Sequence, residues 1–141
     1  MSKLNVDQKA IIDLLSDKKA DFLIPDYQRP YAWSEEQCQT LWDDIFLFSF
    51  PDNNYEAFDD NEEYFLGSIV TYKNENGKSE VIDGQQRLTT LMLILRAFYD
   101  KFESMKDKNS ILTRDRIEKC IWKTDTFGTA DKNTLKIDSE V

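Results

Sequence analysis

The run Asp83-Gly84-Gln85-Gln86-Arg87 combines residue types that could bind or hydrolyse a phosphate ester. The Arg87 guanidinium offers a planar set of donors that suits phosphate oxygens. The side-chain amides of Gln85 and Gln86 could orient a water molecule or a phosphate oxygen. Asp83 could hold a metal ion such as Mg²⁺, accept a proton from water, or cap a helix. The run is therefore a candidate site for phosphate chemistry.

The position of this run between a strand and a helix favours anion binding. Val81 and Ile82 are β-branched and predict the end of a strand. Apolar residues then recur with helical spacing at positions 88, 91, 92, 95, 98, 99 and 102. The first turn of such a helix has unpaired N–H groups and partial positive charge, which stabilise a phosphate. Gly84 has no Cβ, so a ligand could approach its backbone or its φ could be positive.

The same run also has an ordinary structural interpretation. Asp-Gly before a helix is a common turn, Asp is a common cap, and Gln-Gln-Arg is unremarkable as a solvated first turn. Short motifs recur by chance. The functional interpretation therefore depends on a second unusual segment earlier in the chain.

That second segment lies between two prolines, Pro25 and Pro30, which exclude a continuous helix and favour extended backbone. We expect a short strand at 22–24 followed by a polar and aromatic loop. Its rings could stack on a base while its arginine contacts a phosphate. Alternatively, the aromatic side chains anchor the loop to the core, and the sequence leaves both interpretations open. The candidate binding residues of the loop are Tyr27, Gln28, Arg29, Tyr31 and Trp33.

Apolar periodicity and turn residues predict the elements that would position these two segments. Ser34 and Gln37 form a capping box that opens a helix to about Phe48. Asn76-Gly77 marks the turn of a β-hairpin over 64–83, in which Gly67-Ser68 indicates close approach by a backbone or a ligand. The remaining predictions are helices at 6–15 and 112–121, an acidic loop at 51–63, and a last hairpin that joins 121–125 to 134–137. Together they predict an α/β (α+β) fold, a small mixed sheet with packed helices.

Composition limits the possible functions. The chain has 141 residues, no histidine and a net charge of −9, so it lacks histidine-based catalysis and the overall positive charge of a free-standing nucleic-acid binder, although local basic surface remains open. The two cysteines fit no zinc spacing and are expected to be reduced core thiols. No apolar run reaches the length of a bilayer span and no signal peptide is evident, so we expect a cytoplasmic protein without a membrane partner.

The two segments together resemble a known family. Ile24-Pro25-Asp26-Tyr27-Gln28-Arg29-Pro30-Tyr31-Ala32-Trp33, Ile82-Asp83-Gly84-Gln85-Gln86-Arg87-Leu88-Thr89-Thr90-Leu91 and the intervening Phe65-Leu66-Gly67-Ser68-Ile69 are similar to the N-terminal domain of GmrSD-type restriction endonucleases. That group is related to the ParB/sulfiredoxin fold. The resemblance extends over roughly residues 7–138, and the two motifs are specific in combination.

The resemblance implies a domain that binds and hydrolyses nucleoside triphosphates, GTP or ATP, in phage-defence systems that target modified DNA. It implies hydrolysis at Asp83, Gly84, Gln85, Gln86 and Arg87. It also implies that Tyr27, Gln28 and Arg29 belong to the same pocket or sense modified DNA. Relatives often continue into a histidine-containing HNH nuclease domain, a chemistry that this histidine-free chain cannot perform.

Three functional hypotheses follow. The first is a nucleotide-hydrolysing domain of a modification-dependent restriction system, with Mg²⁺ held by Asp83. The second is a non-catalytic module that senses DNA or binds a partner through the Gln28-Arg29 and Gln86-Arg87 pairs. The third is a folded but inactive piece, because the sequence stops without a helix stop signal or tail composition. We therefore expect a single ParB-like domain over 1–141 that is truncated at its C-terminus.

Overall fold

A computed structural model of the chain describes residues 5–141. The prediction that the chain has no signal peptide depends on N-terminal residues that lie largely outside this range. Residues 5–141 contain four α-helices and six strands, which confirms the predicted mixed α/β fold. In order they are α1 (Ile11–Ser16), β1 (Phe22–Ile24), α2 (Glu35–Ser49), β2 (Val70–Lys73), β3 (Ser79–Asp83), α3 (Gln85–Glu103), α4 (Lys108–Ile121), β4 (Trp122–Thr124), β5 (Ala130–Leu135) and β6 (Ile137–Ser139). Two short 3₁₀ turns, Pro51–Asn53 and Tyr55–Ala57, follow α2.

The main sheet is mixed and has the strand order β2-β3-β1-β6. Strand β1 lies between β3 and β6 and is parallel to both, whereas β2 is antiparallel to β3. The carboxyl ends of β3, β1 and β6 therefore meet at one edge of the sheet. Strands β4 and β5 form a separate two-stranded sheet.

The core lies between the main sheet and helices α1, α3 and α4. Its most buried side chains come from five different elements: Leu15, Phe22, Val81, Leu88 and Cys120. A second cluster joins the far end of α3 to α4 and β4 through Tyr99, Ile117, Ile121 and Trp122. The helical periodicity predicted for 88–102 is thus confirmed, since α3 contributes to both clusters. Cys120 is the buried thiol that the sequence predicts, whereas Cys38 is only half-buried; both are free.

Two predicted helices have different boundaries in the structure. Helix α1 begins at Ile11, not at Val6, because Val6 is 88% exposed and buries too little surface to stabilise an additional turn. Helix α4 begins at Lys108, four residues before the predicted start. Its N-cap is Asp107, whose side chain accepts a hydrogen bond from the Ser110 N–H at 3.0 Å. The capping box of Ser34 and Gln37 is confirmed at the start of α2.

The predicted strand at 64–72 is shorter than expected. Only Val70–Lys73 pairs with β3, so the hairpin spans 70–83. Gly67 has a φ of +119°, which is outside the β region and stops the ladder from continuing toward Tyr64. The segment before β2 therefore follows an irregular path beside the start of α3.

The predicted last hairpin is divided between the two sheets. Strand β5 pairs with β4, but Ile137 belongs to β6 and extends the main sheet beside β1. Lys136 lies at this junction with 1% exposure, and its Nζ donates to the carbonyls of Leu15 at 2.7 Å and Asp17 at 3.0 Å. In residues 5–141, none of the helices combines the length and the apolar character that crossing a bilayer requires.

Candidate functional site

The sheet topology brings the two sequence motifs to the same edge. The loop with Tyr27, Gln28 and Arg29 follows β1, and the run from Asp83 to Arg87 follows β3. Because β1 and β3 are parallel neighbours, both motifs begin at the carboxyl ends of adjacent strands. This edge is where open α/β sheets commonly bind ligands.

Gln86 holds the loop after β1 against the first turn of α3. Its Oε1 accepts a hydrogen bond from the Ala32 N–H at 2.8 Å, and its Nε2 donates to the Pro30 carbonyl at 3.2 Å. The side chain is 6% exposed. Both ends of the amide are thus engaged with the loop backbone, so in this arrangement Gln86 positions the loop.

Two further glutamines, Gln28 and Gln85, join the motifs directly. Gln85 Nε2 donates to Gln28 Oε1 at 3.1 Å, and Gln28 Nε2 donates to the Ile82 carbonyl at 3.1 Å. Gln28 therefore bridges the end of β3 and the start of α3. Residues 27–29 and 83–87, which are 54 or more positions apart in sequence, form one hydrogen-bonded unit.

A pocket of about 370 Å³ opens beside this unit. Its floor is largely apolar and comes from β1, β6 and the adjacent end of α4. The polar groups on its wall come from the loop and from α3. The pocket is lined by Ile24, Arg29, Pro30, Tyr31, Gln85, Gln86, Thr89, Met92, Leu93, Arg96, Ile121, Leu135, Ile137, Ser139 and Val141. This size and this mixture of many apolar and few polar groups are typical of small-molecule sites.

Two arginines from different elements line this pocket. Arg29 belongs to the loop and is exposed, whereas Arg96 lies on α3. The Arg96 guanidinium lies 5.1 Å from the centre of the Trp122 ring, and its Nε is 3.1 Å from Asp100 Oδ1. Arg96 is thus held in place by a cation–π contact and an ion pair. Arg29 and Arg96 are the cationic residues among those that line the pocket.

Sequence reasoning missed Arg96, although a signal for it exists. Thr89 and Arg96 follow Gln85 at intervals of four and eleven residues, with Met92 and Leu93 between them. These intervals place them on one face of α3. The predicted apolar face includes Met92 but runs mainly along the neighbouring side of the helix. Extending the face of Gln85 by three turns would have identified Arg96.

Arg87 lies apart from this pocket. Its guanidinium covers Gly67, where a Cβ would be 2.5 Å from Arg87 Cζ, and its Nη1 donates to the Ser68 carbonyl at 3.3 Å. The close approach that the sequence predicts at Gly67-Ser68 is therefore made by a guanidinium group. Arg87 ties the segment before β2 to the first turn of α3.

Gly84 is the N-cap of α3, with a φ of +92°, and no side chain caps the helix. A Cβ at Gly84 would lie 3.0 Å from the Ser68 carbonyl oxygen, so a neighbouring backbone occupies the space that the missing side chain leaves. Asp83 is the last residue of β3 and precedes this N-cap, so helix capping, one of the three roles that the sequence left open for Asp83, falls to the Gly84 position instead.

In residues 5–141, no Asp or Glu side chain lines the pocket. Asp83 is exposed and does not line the pocket, and among residues 5–141 no three His, Cys, Asp or Glu side chains cluster as metal ligands. Magnesium sites usually combine one or two carboxylates with water and substrate phosphates. Asp83 would supply one carboxylate to such a site.

The aromatic residues of the loop have different environments. The Tyr31 hydroxyl lies 2.9 Å from Thr90 Oγ1 and 3.2 Å from Cys38 Sγ. Because Thr90 Oγ1 itself donates to the Gln86 carbonyl, Tyr31 donates to Thr90. Burial and the contact with Cys38 raise the pKa of Tyr31. Tyr31 thus anchors the loop to α3 and also lines the pocket.

Tyr27 and Trp33 lie outside the pocket wall. Tyr27 is 64% exposed, and its hydroxyl lies 3.5 Å from Glu80 Oε1. Partial burial, together with the charge of Glu80, raises the pKa of Tyr27. Trp33 is half-buried at the entry to α2. Of the five loop residues predicted to bind ligand, Arg29 and Tyr31 therefore line the pocket. Gln28 joins the loop to the end of β3 and the start of α3.

Comparison with known proteins identifies the family of this chain. A family model described as the N-terminal domain of GmrSD restriction endonucleases matches residues 11–140, a range that includes both motifs and every element of the fold. None of the curated proteins matches the chain. Since the family match extends over nearly all of the sequence, the chain belongs to the family of GmrSD restriction endonuclease N-terminal domains.

Proposed function

We propose that this domain binds a nucleoside triphosphate in the pocket at the carboxyl edge of the parallel strands and hydrolyses it. The observation that supports the proposal most is the hydrogen-bonded union of the two motifs by Gln28, Gln85 and Gln86. That union places Arg29 beside the first turn of α3, where backbone dipoles also favour an anion. The apolar floor would accept the base.

Binding and hydrolysis involve different parts of the motifs in this proposal. Arg29 and Arg96 neutralise phosphate charge, which is the main requirement of phosphoryl transfer. Hydrolysis breaks the bond between the γ-phosphorus and its bridging oxygen as water adds, which releases inorganic phosphate and a nucleoside diphosphate. The family resemblance assigns that step to Asp83, Gln85, Gln86 and Arg87. Magnesium would arrive bound to the triphosphate.

Arg87 affects turnover indirectly in this arrangement. Its contact with the Ser68 carbonyl fixes the segment that packs on Gly84. Arg87→Ala should therefore lower turnover more than it lowers affinity. Equal losses of affinity and turnover would instead place Arg87 on the bound phosphates.

The alternative of a DNA-sensing module has less support from the contacts. The amides of Gln28 and Gln86 are engaged inside the protein, which leaves neither Gln-Arg pair arranged to contact a sugar-phosphate backbone. The net charge of −9 also opposes strong binding to a duplex.

The test is a calorimetric titration with ATP and GTP in the presence of magnesium, followed by measurement of phosphate release. We expect saturable binding that Arg29→Ala weakens by about tenfold or more, as expected for loss of a charged contact. Arg116→Ala is the matched control, because Arg116 is an exposed arginine of α4 outside the pocket. Saturable binding of a DNA duplex without nucleotide binding would contradict the proposal.

A further inference from the structure

The negative charge of the chain is concentrated in one segment. Residues 30–72, which include α2 and the loop after it, contain ten Asp or Glu residues and no Lys or Arg. The remainder of the sequence contains 17 acidic and 18 basic residues and is nearly neutral. The net charge of −9 therefore belongs to this segment and not to the protein as a whole.

The same segment contains half of the exposed large apolar side chains of the described residues. Leu41 is the only buried residue of α2 in the structure, although the helix has 15 residues. Phe58 is 56% and Phe65 is 74% exposed. We name this region the α2 face; its exposed apolar residues are Leu47, Phe48, Tyr55, Phe58, Tyr64 and Phe65.

Ring contacts join α2 to the loop that follows it. Phe50 packs against Tyr55 at 5.2 Å and Phe58 at 5.9 Å between ring centres, and Phe48 packs against Tyr64 at 5.3 Å. The loop thus folds back onto α2 and extends its apolar surface. Monomeric proteins rarely leave such contiguous apolar patches uncovered unless the patches bind something.

A cleft of about 370 Å³ lies within the α2 face. It is lined by the rings of Trp42 and Phe46 and by Leu47, with the carboxylate of Asp43 at the same site. Aromatic rings beside a carboxylate suit a lysine or arginine, whose stem packs on the rings while its cation meets the acid. Trp42 also contacts Phe98 of α3, which anchors this cleft to the body of the domain.

We propose that the α2 face docks a protein segment that combines apolar anchors with lysine or arginine side chains, such as a basic amphipathic helix. Charge excludes the other occupants. Nucleic acid and anionic membranes would meet ten uncompensated carboxylates, and a second copy of this chain would bring the same charge to the interface. A basic amphipathic helix satisfies both the apolar surface and its acidic surroundings.

This interaction is independent of the nucleotide pocket, since the two sites have no lining residue in common. The probe is a synthetic helical peptide of leucine and lysine, whose binding is measured by fluorescence anisotropy. A first control peptide replaces lysine with glutamate, and a second replaces leucine with serine. We expect the leucine-lysine peptide to bind more tightly than either control by about tenfold or more, because both chemistries contribute.

Substitutions on the α2 face test whether the peptide binds there. Asp43→Lys and the double substitution Phe58→Ser with Phe65→Ser should each weaken binding, since all three residues are exposed and can change without loss of the fold. Phe127→Ser is the control, because Phe127 is 92% exposed on the distant β4–β5 turn. Circular dichroism checks that each variant is folded.

Four results would overturn the proposal. Equal binding of the serine-lysine peptide would reduce the effect to charge alone. Equal loss in Phe127→Ser would remove the α2 face from the interaction. Self-association in sedimentation that the Phe58 and Phe65 substitutions abolish would identify a second copy as the occupant. Binding of a DNA duplex or of anionic vesicles through the same residues would identify a different class of partner.

Discussion

The sequence marks Gln86 as a candidate to orient a water molecule or a phosphate oxygen, and in the structure its side chain holds the loop after β1. Its amide satisfies one donor and one acceptor of the loop after β1 at distances of 2.8 and 3.2 Å. A buried amide of this kind contributes more through what its removal leaves unpaired than through its own bonds. Arg29 reaches the pocket because Gln86 fixes the backbone next to it.

Replacing Gln86 with alanine should therefore destabilise the domain and weaken nucleotide binding together. The Ala32 N–H and the Pro30 carbonyl would lose their partner, at a cost of about 1–3 kcal/mol. Urea denaturation measures the loss. Gln39→Ala is the control, since the Gln39 amide bonds to Asp43 on the exposed side of α2 and should matter little. Equal stability of the two variants would contradict a positioning role for Gln86.

Lys136 is the other residue whose environment decides its role. It is buried at the junction of β5 and β6, where its ammonium group satisfies two carbonyls at the end of α1. Burial lowers its pKa from the ordinary value of 10.5, against smaller opposing effects of Cys120 and Asp17. The folded state therefore releases this proton at a lower pH than the unfolded state does.

The sign of the resulting pH dependence is fixed by linkage. Below the lowered pKa, Lys136 is charged in both states and the burial penalty is fully present. Between that pKa and 10.5 the unfolded chain binds more protons, so the wild type gains stability as pH rises. The free energy of unfolding, compared with that of Lys136→Met across this range, measures the gain. A difference that is constant with pH would show that the lysine is not perturbed.

At the scale of elements, the corner between β3 and α3 depends on close backbone packing. Gly84 combines a φ of +92° with a Ser68 carbonyl 3.0 Å from the position of a Cβ. Gly77 has a comparable φ of +79° but no atom within 4 Å of that position. Both glycines thus have a positive φ, but only Gly84 has neighbouring atoms close to the position of a Cβ.

This pair provides a matched test of the corner. Gly77→Ala should cost about 1–2 kcal/mol of stability for the left-handed backbone alone. Gly84→Ala should cost more, because the added methyl group displaces Ser68 and Ile69 as well. Thermal and urea unfolding of both variants measure the difference. Equal costs would mean that the segment before β2 does not pack on the corner.

Local patterns predicted the elements of this fold better than they predicted its connections. The period of α3 and the capping box of α2 depend on neighbouring residues, so the sequence reveals them. The pairing of β6 with β1 joins residues more than 110 positions apart and has no local signature. The strand predicted at 64–72 was too long because Gly67 takes a positive φ where Arg87 lies against it.

The candidate site was predictable to a similar extent. The motifs themselves identified Arg29 and the glutamines, because those residue types are unusual beside prolines and a glycine turn. The position of Arg87 outside the pocket and of Arg96 on its lining depends on the rotation of α3 and on contacts with residues far away in sequence, Ser68 and Trp122. Neither can be seen from the identity of the residues in a short motif.

At the scale of the whole molecule, the two proposed surfaces differ in charge and in position. The pocket at the strand edge presents two arginines, whereas the α2 face has ten acidic residues and no basic ones in its segment. The pocket would therefore attract a triphosphate, whereas the α2 face would repel it. This separation allows nucleotide binding and partner docking to be measured in the same protein without interference.

The central claim is that the two motifs form one triphosphate pocket at the carboxyl edge of the parallel strands. The chain has five arginines, at positions 29, 87, 96, 114 and 116, so their Nε–Hε groups give a small set of NMR signals. These signals can be followed while a non-hydrolysable triphosphate is added. We predict that the Arg29 and Arg96 signals shift together and saturate, while those of Arg114 and Arg116 stay unchanged. Saturating shifts at Arg87 without any at Arg29 and Arg96, or no shift at all, would contradict the account.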